Sequence, residues 1–364
     1  MPQLGSSSLT VSATARVLRA LGNGGEPLAF PEALRGFDAL VAPAEDALTE
    51  GRRPRILAYA PIAHANRFQS LLYSAAGGCD VGVVPLRYLD ELDQLPLFAP
   101  FVCHFHWLAG VTAEAPDAAA ANAAIDRFLA RLDRLIERCG AHIVWTAHNT
   151  LPHDTRYAAE HARLRQALID RCALIHCLTA RSRDDLAARF DLGTTPTAVV
   201  PHPSYRGAYP DYVTRATARR TLGIAEDAAV LLGLGGLQRY KGFDALCASF
   251  EALAGTGEQP WHLVIAGGPS DPALAAELAA WAGGRADVTL HIDKIADDDL
   301  QLFLRAADLA VCPYRETLNS GVAALALSFG LPVVASALGA FVALEGEGVM
   351  TYDPAVGAPG LAAA

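Results

Sequence analysis

The chain has 364 residues, 52% of them hydrophobic and 19% charged, which is enough apolar material to fill two cores and too long for one ordinary domain. A formal net charge of -10 excludes broad nucleic-acid binding and leaves room only for a local basic face. The seven cysteines form no CxxC pair and sit mostly in apolar runs, so the expectation is buried thiols in a reducing cytoplasm, with no structural zinc; no apolar run approaches the ~18 residues of a spanning helix, and residues 1–8 lack a basic leader.

Residues 1–50, rich in Ala, Gly and Ser, read as an N-terminal extension of undefined packing. From Arg55 onward, short apolar runs at 55–60, 81–86, 101–105, 142–147, 174–178 and 198–201 alternate with helix-length segments. This alternation predicts α/β architecture with a doubly wound parallel sheet, in a first domain spanning 51–205. Pro201, Pro203 and Pro210 then disfavour helix and predict an extended crossing. A second series at 229–234, 262–266, 288–291, 309–313 and 332–336 predicts another Rossmann-like sheet in a C-terminal domain, 212–364. The last residues, 353–364, read as a helix barely begun. In open α/β sheets ligands lie outside the carboxyl ends of the strands, so two such domains facing each other predict a cleft lined by residues that follow strands.

Several such residues stand out in the first domain. Asn66 and Arg67 follow the first strand in PIAHANRFQS, residues 61–70. In FVCHFHWL, residues 101–108, strand alternation sends His104 and His106 to one face and Phe105 and Trp107 to the other, as structural residues or as ligands. On a helical wheel of residues 126–138, Arg127, Arg131, Arg134 and Arg138 share a face beside Asp126, Asp133 and Glu137, opposite an apolar face. That pattern is either a solvated helix or a basic stripe for anionic lipid. In HIVWTAHNTLPHD, residues 142–154, an apolar strand delivers His148 and Asn149 to its carboxyl end, and Pro152 keeps the following loop from turning helical at once.

The second domain carries two anion-suited segments. LGLGGLQRYKG, residues 232–242, is a strand, a glycine turn and two cations, Arg239 and Lys241, ahead of an amphipathic helix. Glycines admit a close ligand and each cation can donate charge-assisted bonds, although surface cations on a turn look the same in sequence. ADLAVCPYRETLNSG, residues 307–321, is a buried strand and a loop leading into a helix opened by Ser320 and Gly321. The unpaired amides and positive dipole of that helix end suit a diphosphate. Glu316 is either a solvated loop carboxylate or an acceptor for sugar hydroxyls. Asp297, Asp298 and Asp299 read as a helix start rather than a metal site.

RYKGFD (239–244), LVIAGGP (263–269), AD (307–308) through PY (313–314) and GLPVVAS (330–336) occur in an order and spacing that resemble the GT-B glycosyltransferases, especially glycosyltransferase family 4 and related bacterial exopolysaccharide mannosyltransferases. The resemblance implies that Lys241 neutralises a donor diphosphate, that Gly267 in the loop after Ala266 lies near the nucleotide, and that Asn319, Ser320 and Gly321 bind phosphate and sugar. The family's arginine stands five residues before the lysine, where this chain has Gly236, so Arg239 is expected to substitute for it. Its second glutamate, eight residues after the first, is replaced by Ala324, or by Leu325 if Pro332 and Val333 set the alignment; this leaves retention or inversion open. Asn66 and Arg67 lie in a run that resembles the opening acceptor-side loop of bacterial polysaccharide glycosyltransferases, and His106 and Asn149 join the acceptor side by their strand-end positions. A histidine at the place of His148 approaches the donor sugar in this family, and an inverting relative would recruit His148, His153 or Asp154 as base.

The function expected from this resemblance is transfer of a hexose, mannose first, from a nucleotide sugar to a saccharide acceptor, free or lipid-linked, in exopolysaccharide or glycoconjugate synthesis. GDP-mannose is the favoured donor and a UDP-sugar the alternative. No cofactor or metal is required, no nucleic acid is bound, and the enzyme works in the cytoplasm with peripheral contact at the inner face of the membrane. The competing readings are a GT-B sugar-nucleotide epimerase and a noncatalytic nucleotide-binding subunit.

Overall fold

The computed structural model describes residue 50 and residues 55–63, 67–79, 81–86, 101–152, 155–257 and 259–364. Asn66, His153, Asp154 and the extension before Glu50 lie outside the described residues. Tertiary contacts divide the chain into two compact units. One runs through Leu178 and takes in Leu186–Pro201; the other comprises Thr179–Asp185 and His202–Ala364.

The first unit contains β1 (Arg55–Ala60), α1 (Phe68–Leu72), β2 (Val81–Pro85), β3 (Val102–Phe105), α2 (Ala118–Cys139), β4 (His142–Thr146), α3 (Ala158–Ile169), β5 (Cys172–Cys177), the end of α4 (Ala180–Ala187), and β6 (Thr197–Val199). Its sheet has the order β2-β1-β3-β4-β5-β6 with every pairing parallel. Parallel strands are covered on both faces and so read as continuous apolar runs; Ala58, Val83, Cys103, Phe105, Ile143 and Ile175 are all fully buried. The order reverses between β1 and β3, which makes the carboxyl ends of those strands the switch point where ligands of such sheets bind.

Helix α2 owes its length to its ends and its apolar face. Asp117 accepts a bond from the Ala120 amide at 2.8 Å, and Gly140 closes the helix at φ 63°. Ile125, Phe128, Leu132 and Leu135 are buried, while Arg127, Arg134 and Arg138 are exposed and Arg131 is half-buried. Two acids beside that stripe are held from outside the helix, Asp126 by Arg163 at 2.9 Å and Asp133 by Arg171 at 2.6 Å.

The second unit continues with α5 (Arg215–Leu222), β7 (Ala229–Leu234), α6 (Phe243–Ala254), β8 (Trp261–Ala266), α7 (Pro272–Ala282), β9 (Val288–His291), α8 (Leu300–Ala306), β10 (Leu309–Cys312), α9 (Gly321–Ser328), β11 (Val333–Ser336), α10 (Gly339–Ala343), β12 (Val349–Tyr352) and α11 (Gly357–Ala363). The sheet order, β12-β11-β10-β7-β8-β9 and all parallel, is the Rossmann order, with its switch point between β7 and β10. Two features exceed the sequence expectation. Val349–Tyr352 adds a sixth strand beside β11, and α11 packs on α6, with Leu361 in the core and the Ser249 hydroxyl donating to the Ala358 carbonyl at 2.9 Å.

Candidate active site

At the switch point of the second unit, β7 leads through Gly235 and Gly236 into a single 3-10 turn, Arg239–Lys241, before α6 begins. The turn can close onto β10 only because residue 242 is glycine. Its φ is +68°, and a Cβ there would stand 2.0 Å from the Pro313 carbonyl oxygen. Gly267 answers to the same crowding, since a Cβ on it would meet the Gly235 carbonyl oxygen at 2.1 Å. Gly267 therefore brings the loop after β8 against the loop after β7, a packing role that stands beside the nucleotide contact expected from the sequence.

The turn sends Lys241 inward. Its side chain is 7% exposed, with Nζ 6.0 Å from the centre of the Tyr314 ring. No carboxylate pairs with it among the described residues, and burial lowers its pKa to about 8. A methyl group on Gly235 would lie 2.6 Å from this Nζ and 3.3 Å from Cγ2 of Val322, so the ammonium and the first turn of α9 border the same space. Ser320 caps α9, accepting from the Ala323 amide at 3.2 Å, while the amides of Gly321 and Val322 precede the first intrahelical bond. A buried cation with no carboxylate partner among the described residues thus stands beside a helix N-terminus, two features whose charge suits an anion.

Other site residues take more specific places. Oδ1 of Asn319 accepts from the Ser182 hydroxyl at 2.7 Å, which fixes the amide in the loop before α9. Glu316 is exposed in that loop. His202 and Tyr205 are site neighbours that the sequence did not single out. Both face Gly321, where a Cβ would come within 3.6 Å of the Tyr205 hydroxyl and 3.9 Å of His202 Nε2. The signal that could have found them is their place just after β6, a strand end. Arg239 is held by carboxylates. Its guanidinium is at the surface, bonded to both carboxylate oxygens of Glu277 at 2.7 and 3.1 Å and to Asp271 at 3.1 Å. Two acids of the α7 segment hold it, Asp271 just before the helix and Glu277 within it.

The first unit gathers histidines around its own switch point. His104 and His106 share a face, their rings stacked at 4.5 Å. Trp107 does not take the opposite face that alternation predicts. β3 ends at Phe105, the pleat stops constraining the next side chain, and Trp107 stacks on His148 with centroids 4.3 Å apart. Phe68 meets the same imidazole edge-on at 4.8 Å, so two aromatic rings set the plane of His148, and His106 Nδ1 lies 3.0 Å from its Nε2. Asn149 is engaged structurally, its Oδ1 accepting from Arg165 at 3.2 Å; that guanidinium is buried, its pKa lowered to about 10 by burial, and its Nε has no partner among the described residues. Arg67 is exposed and starts α1, its carbonyl accepting from the Ser70 hydroxyl at 2.9 Å.

Comparison with known proteins adds the family. Residues 228–363 match the Glycosyl transferases group 1 family. That span is a group 1 glycosyltransferase domain. The chain is 39% identical over 159 residues to a D-inositol 3-phosphate glycosyltransferase of Nocardioides sp., covering 38% of this chain and 34% of the relative. A D-inositol 3-phosphate glycosyltransferase of Catenulispora acidiphila is 36% identical over 153 residues, covering 38% and 36% respectively. The chain thus spans about a third of the length of the curated relatives it matches. Among solved structures, sucrose-phosphate synthase of Thermosynechococcus elongatus superposes with a TM-score of 0.62 at 16% identity, over 86% of this chain and 88% of that one. The Anabaena protein Alr3699/HepE in complex with UDP gives 0.59 at 18% identity, over 85% and 88%. These likenesses establish the GT-B fold, two six-stranded parallel sheets with interleaved helices.

Arg239, Lys241, Gly267, Glu316, Asn319, Ser320 and Gly321 all lie inside the glycosyltransferase domain, whereas Arg67, His106, His148 and Asn149 precede it. Within the domain, Gly242→Ala is expected to open the turn that carries Lys241. Positive φ and the clash with Pro313 together predict a loss of about 1–3 kcal/mol in stability and weakened nucleotide binding, measurable by urea unfolding and calorimetry.

Proposed function

We propose that the protein is a hexosyltransferase that moves a sugar from a nucleoside-diphosphate donor to a hydroxylated saccharide or polyol acceptor. The observation that carries this reading is the buried ammonium of Lys241, without a carboxylate partner among the described residues, bordering the same space as the first turn of α9 at the β7/β10 switch point. Lys241 and the Gly321 and Val322 amides would stabilise the departing diphosphate, which needs no bound metal for its charge. Asn319 and Glu316 would take sugar hydroxyls. On the acceptor side His148 would act at the reacting centre, alongside Asn66, Arg67 and His106; Asp154 is the alternative base.

Mannose from GDP-mannose is the donor proposed from the sequence resemblance. The Anabaena neighbour crystallised with UDP-glucose supports a UDP-sugar as the competing choice. The exposed arginines of α2, whose neighbouring acids Asp126 and Asp133 are tied to Arg163 and Arg171, support contact with an anionic membrane surface, and with it a lipid-linked acceptor for exopolysaccharide or glycoconjugate synthesis. The site of action proposed is the cytoplasm.

Incubating the protein with labelled GDP- and UDP-sugars and a lipid-saccharide extract, then determining the anomeric configuration of the product, tests the whole reading. Transfer to an acceptor is the expected result. Sugar-nucleotide rearrangement without an acceptor would make it an epimerase, and nucleotide binding without any transfer a noncatalytic subunit, the outcome Ala324 in place of the second glutamate would favour.

Lys241 also predicts how binding responds to pH. Its pKa is depressed from 10.5 to about 8, so between those values the unfolded chain holds a proton that the folded chain has released, and stability rises with pH across that window. A bound diphosphate favours the ammonium and raises its pKa. The Lys241 contribution to nucleotide-sugar affinity is therefore constant below about pH 8 and falls above it, by up to about tenfold per pH unit, with proton uptake on binding. Calorimetry at pH 7 and 9 in buffers of different ionisation enthalpy measures both effects.

A further inference from the structure

Six polar side chains of the first unit form one continuous buried chain of hydrogen bonds. His176 Nε2 lies 2.9 Å from the Val200 carbonyl oxygen, and His176 Nδ1 lies 2.9 Å from the Thr146 hydroxyl. That hydroxyl is 2.7 Å from His104 Nε2, and His104 Nδ1 is 2.7 Å from the Tyr73 hydroxyl. Tyr73 in turn is 2.7 Å from His106 Nε2, and His106 Nδ1 is 3.0 Å from His148 Nε2. The links join strands β3, β4 and β5 and the residue just after α1, across separations of 30 to 42 residues.

One end of this chain has no choice of direction. A backbone carbonyl only accepts, so His176 must carry its proton on Nε2. A neutral imidazole has one donor and one acceptor nitrogen, so His176 Nδ1 accepts from Thr146. Having spent its one proton there, Thr146 accepts from His104 Nε2–H. His104 Nδ1 then accepts from Tyr73, and Tyr73, its proton committed, accepts from His106 Nε2–H. His106 Nδ1 is left as an acceptor, and the group facing it, His148 Nε2, must donate. The rings in the middle are held neutral by burial, His104 with a pKa lowered to about 3 and His106 and His176 below the usual value.

We propose that the Val200 carbonyl, acting through His176, Thr146, His104, Tyr73 and His106, fixes the proton of neutral His148 on Nε2, so that Nδ1 is the atom at which His148 gains and loses protons. The chain cannot conduct a proton away, because it ends on a carbonyl that cannot pass one on. It sets polarity, as the third residue of a catalytic triad sets the tautomer of its histidine, and Tyr73, His104, His106, Thr146 and His176 are positioning residues. A proton taken from an acceptor hydroxyl arrives on Nδ1, while the Nε2–H bond to His106 is kept in both protonation states.

This inference rests on the reading that His148 works at the reacting centre, and the two can fail separately. Nitrogen-15 NMR of the histidine rings in the whole chain, above the pKa of His148, reads the tautomer without any turnover. The expected result is one protonated nitrogen in His148, Nε2, and one bare nitrogen, Nδ1. In Tyr73→Phe the chain is cut between His106 and His104, and the two His148 nitrogen shifts are expected to move toward each other as both tautomers become populated. Thr146→Val cuts a different link and is expected to do the same, while Thr146→Ser restores the wild-type pattern. A neutral His148 protonated on Nδ1, or a tautomer unchanged in both Tyr73→Phe and Thr146→Val, overturns the proposal. If instead His148→Ala transfers sugar at the wild-type rate while the NMR pattern is as expected, the catalytic reading of His148 fails and the polarity of the chain stands.

Discussion

Replacing Lys241 by methionine is expected to lower sugar transfer at least tenfold, and alanine at the same position to do no less. A charge-assisted bond to a phosphate oxygen contributes about 1.5–3 kcal/mol, roughly a factor of 10 to 100. The neighbouring cation, Arg239, is bound to Glu277 and Asp271 and so is not positioned to take over the role of the ammonium. Methionine is the sharper variant because it keeps most of the packed side-chain length while removing a charge whose burial is already unfavourable. Its fold is expected to be at least as stable as the wild type at pH 7, so a loss of transfer reports on the diphosphate and not on misfolding. An unchanged rate would remove the phosphate from this site.

Arg219→Ala is expected to cause the largest loss of stability. The Arg219 side chain is 1% exposed and donates to the carbonyls of Ala306 at 3.1 Å, Glu226 at 2.5 Å and Ala228 at 2.9 Å, and to Asp308 at 2.7 Å. Asp308 Oδ2 also accepts from the Val230 amide at 2.9 Å, so this one guanidinium ties the end of α5 to the starts of β7 and β10. Removing it strands the buried carbonyl acceptors of Ala306 and Ala228 and leaves Asp308 with Arg215 as its remaining cation, a change expected to cost about 3–5 kcal/mol, the range for breaking a buried charge network. Arg215 also pairs with Asp308 but is itself half in solvent and cannot reach the carbonyls' place in the core. Urea unfolding followed by tryptophan fluorescence measures the loss; a change below about 1 kcal/mol would show that water replaces these bonds.

The double α/β architecture was legible because buried parallel strands announce themselves as apolar runs, and the two series were separated by prolines at 201, 203 and 210. The positions of Lys241 and of the opening of α9 were legible for a related reason, as each lies in the connection that leaves the carboxyl end of a strand. What sequence could not reveal depended on partners far along the chain. Arg239 stands beside Lys241 in sequence, yet Asp271 and Glu277 claim it. Strand β12 escaped notice because Val349–Tyr352 is only four residues long and follows a glycine-rich turn. The alternation rule paired His104 with His106 correctly but misplaced Trp107, one residue beyond where the pleat holds. His106 and His148 stood out in sequence as strand-end residues, but His176 and Tyr73 did not; sheet register brings Thr146 beside His176, and Tyr73 joins the line from just after α1.

The most direct measurement is a crystal structure of the protein with UDP-glucose or GDP-mannose bound. The diphosphate should lie within hydrogen-bonding distance of Lys241 Nζ and of the Gly321 and Val322 amides, with the sugar toward Asn319 and Glu316. A nucleotide bound elsewhere, with the space between Lys241 and α9 unoccupied, would contradict the assignment of this site to the donor.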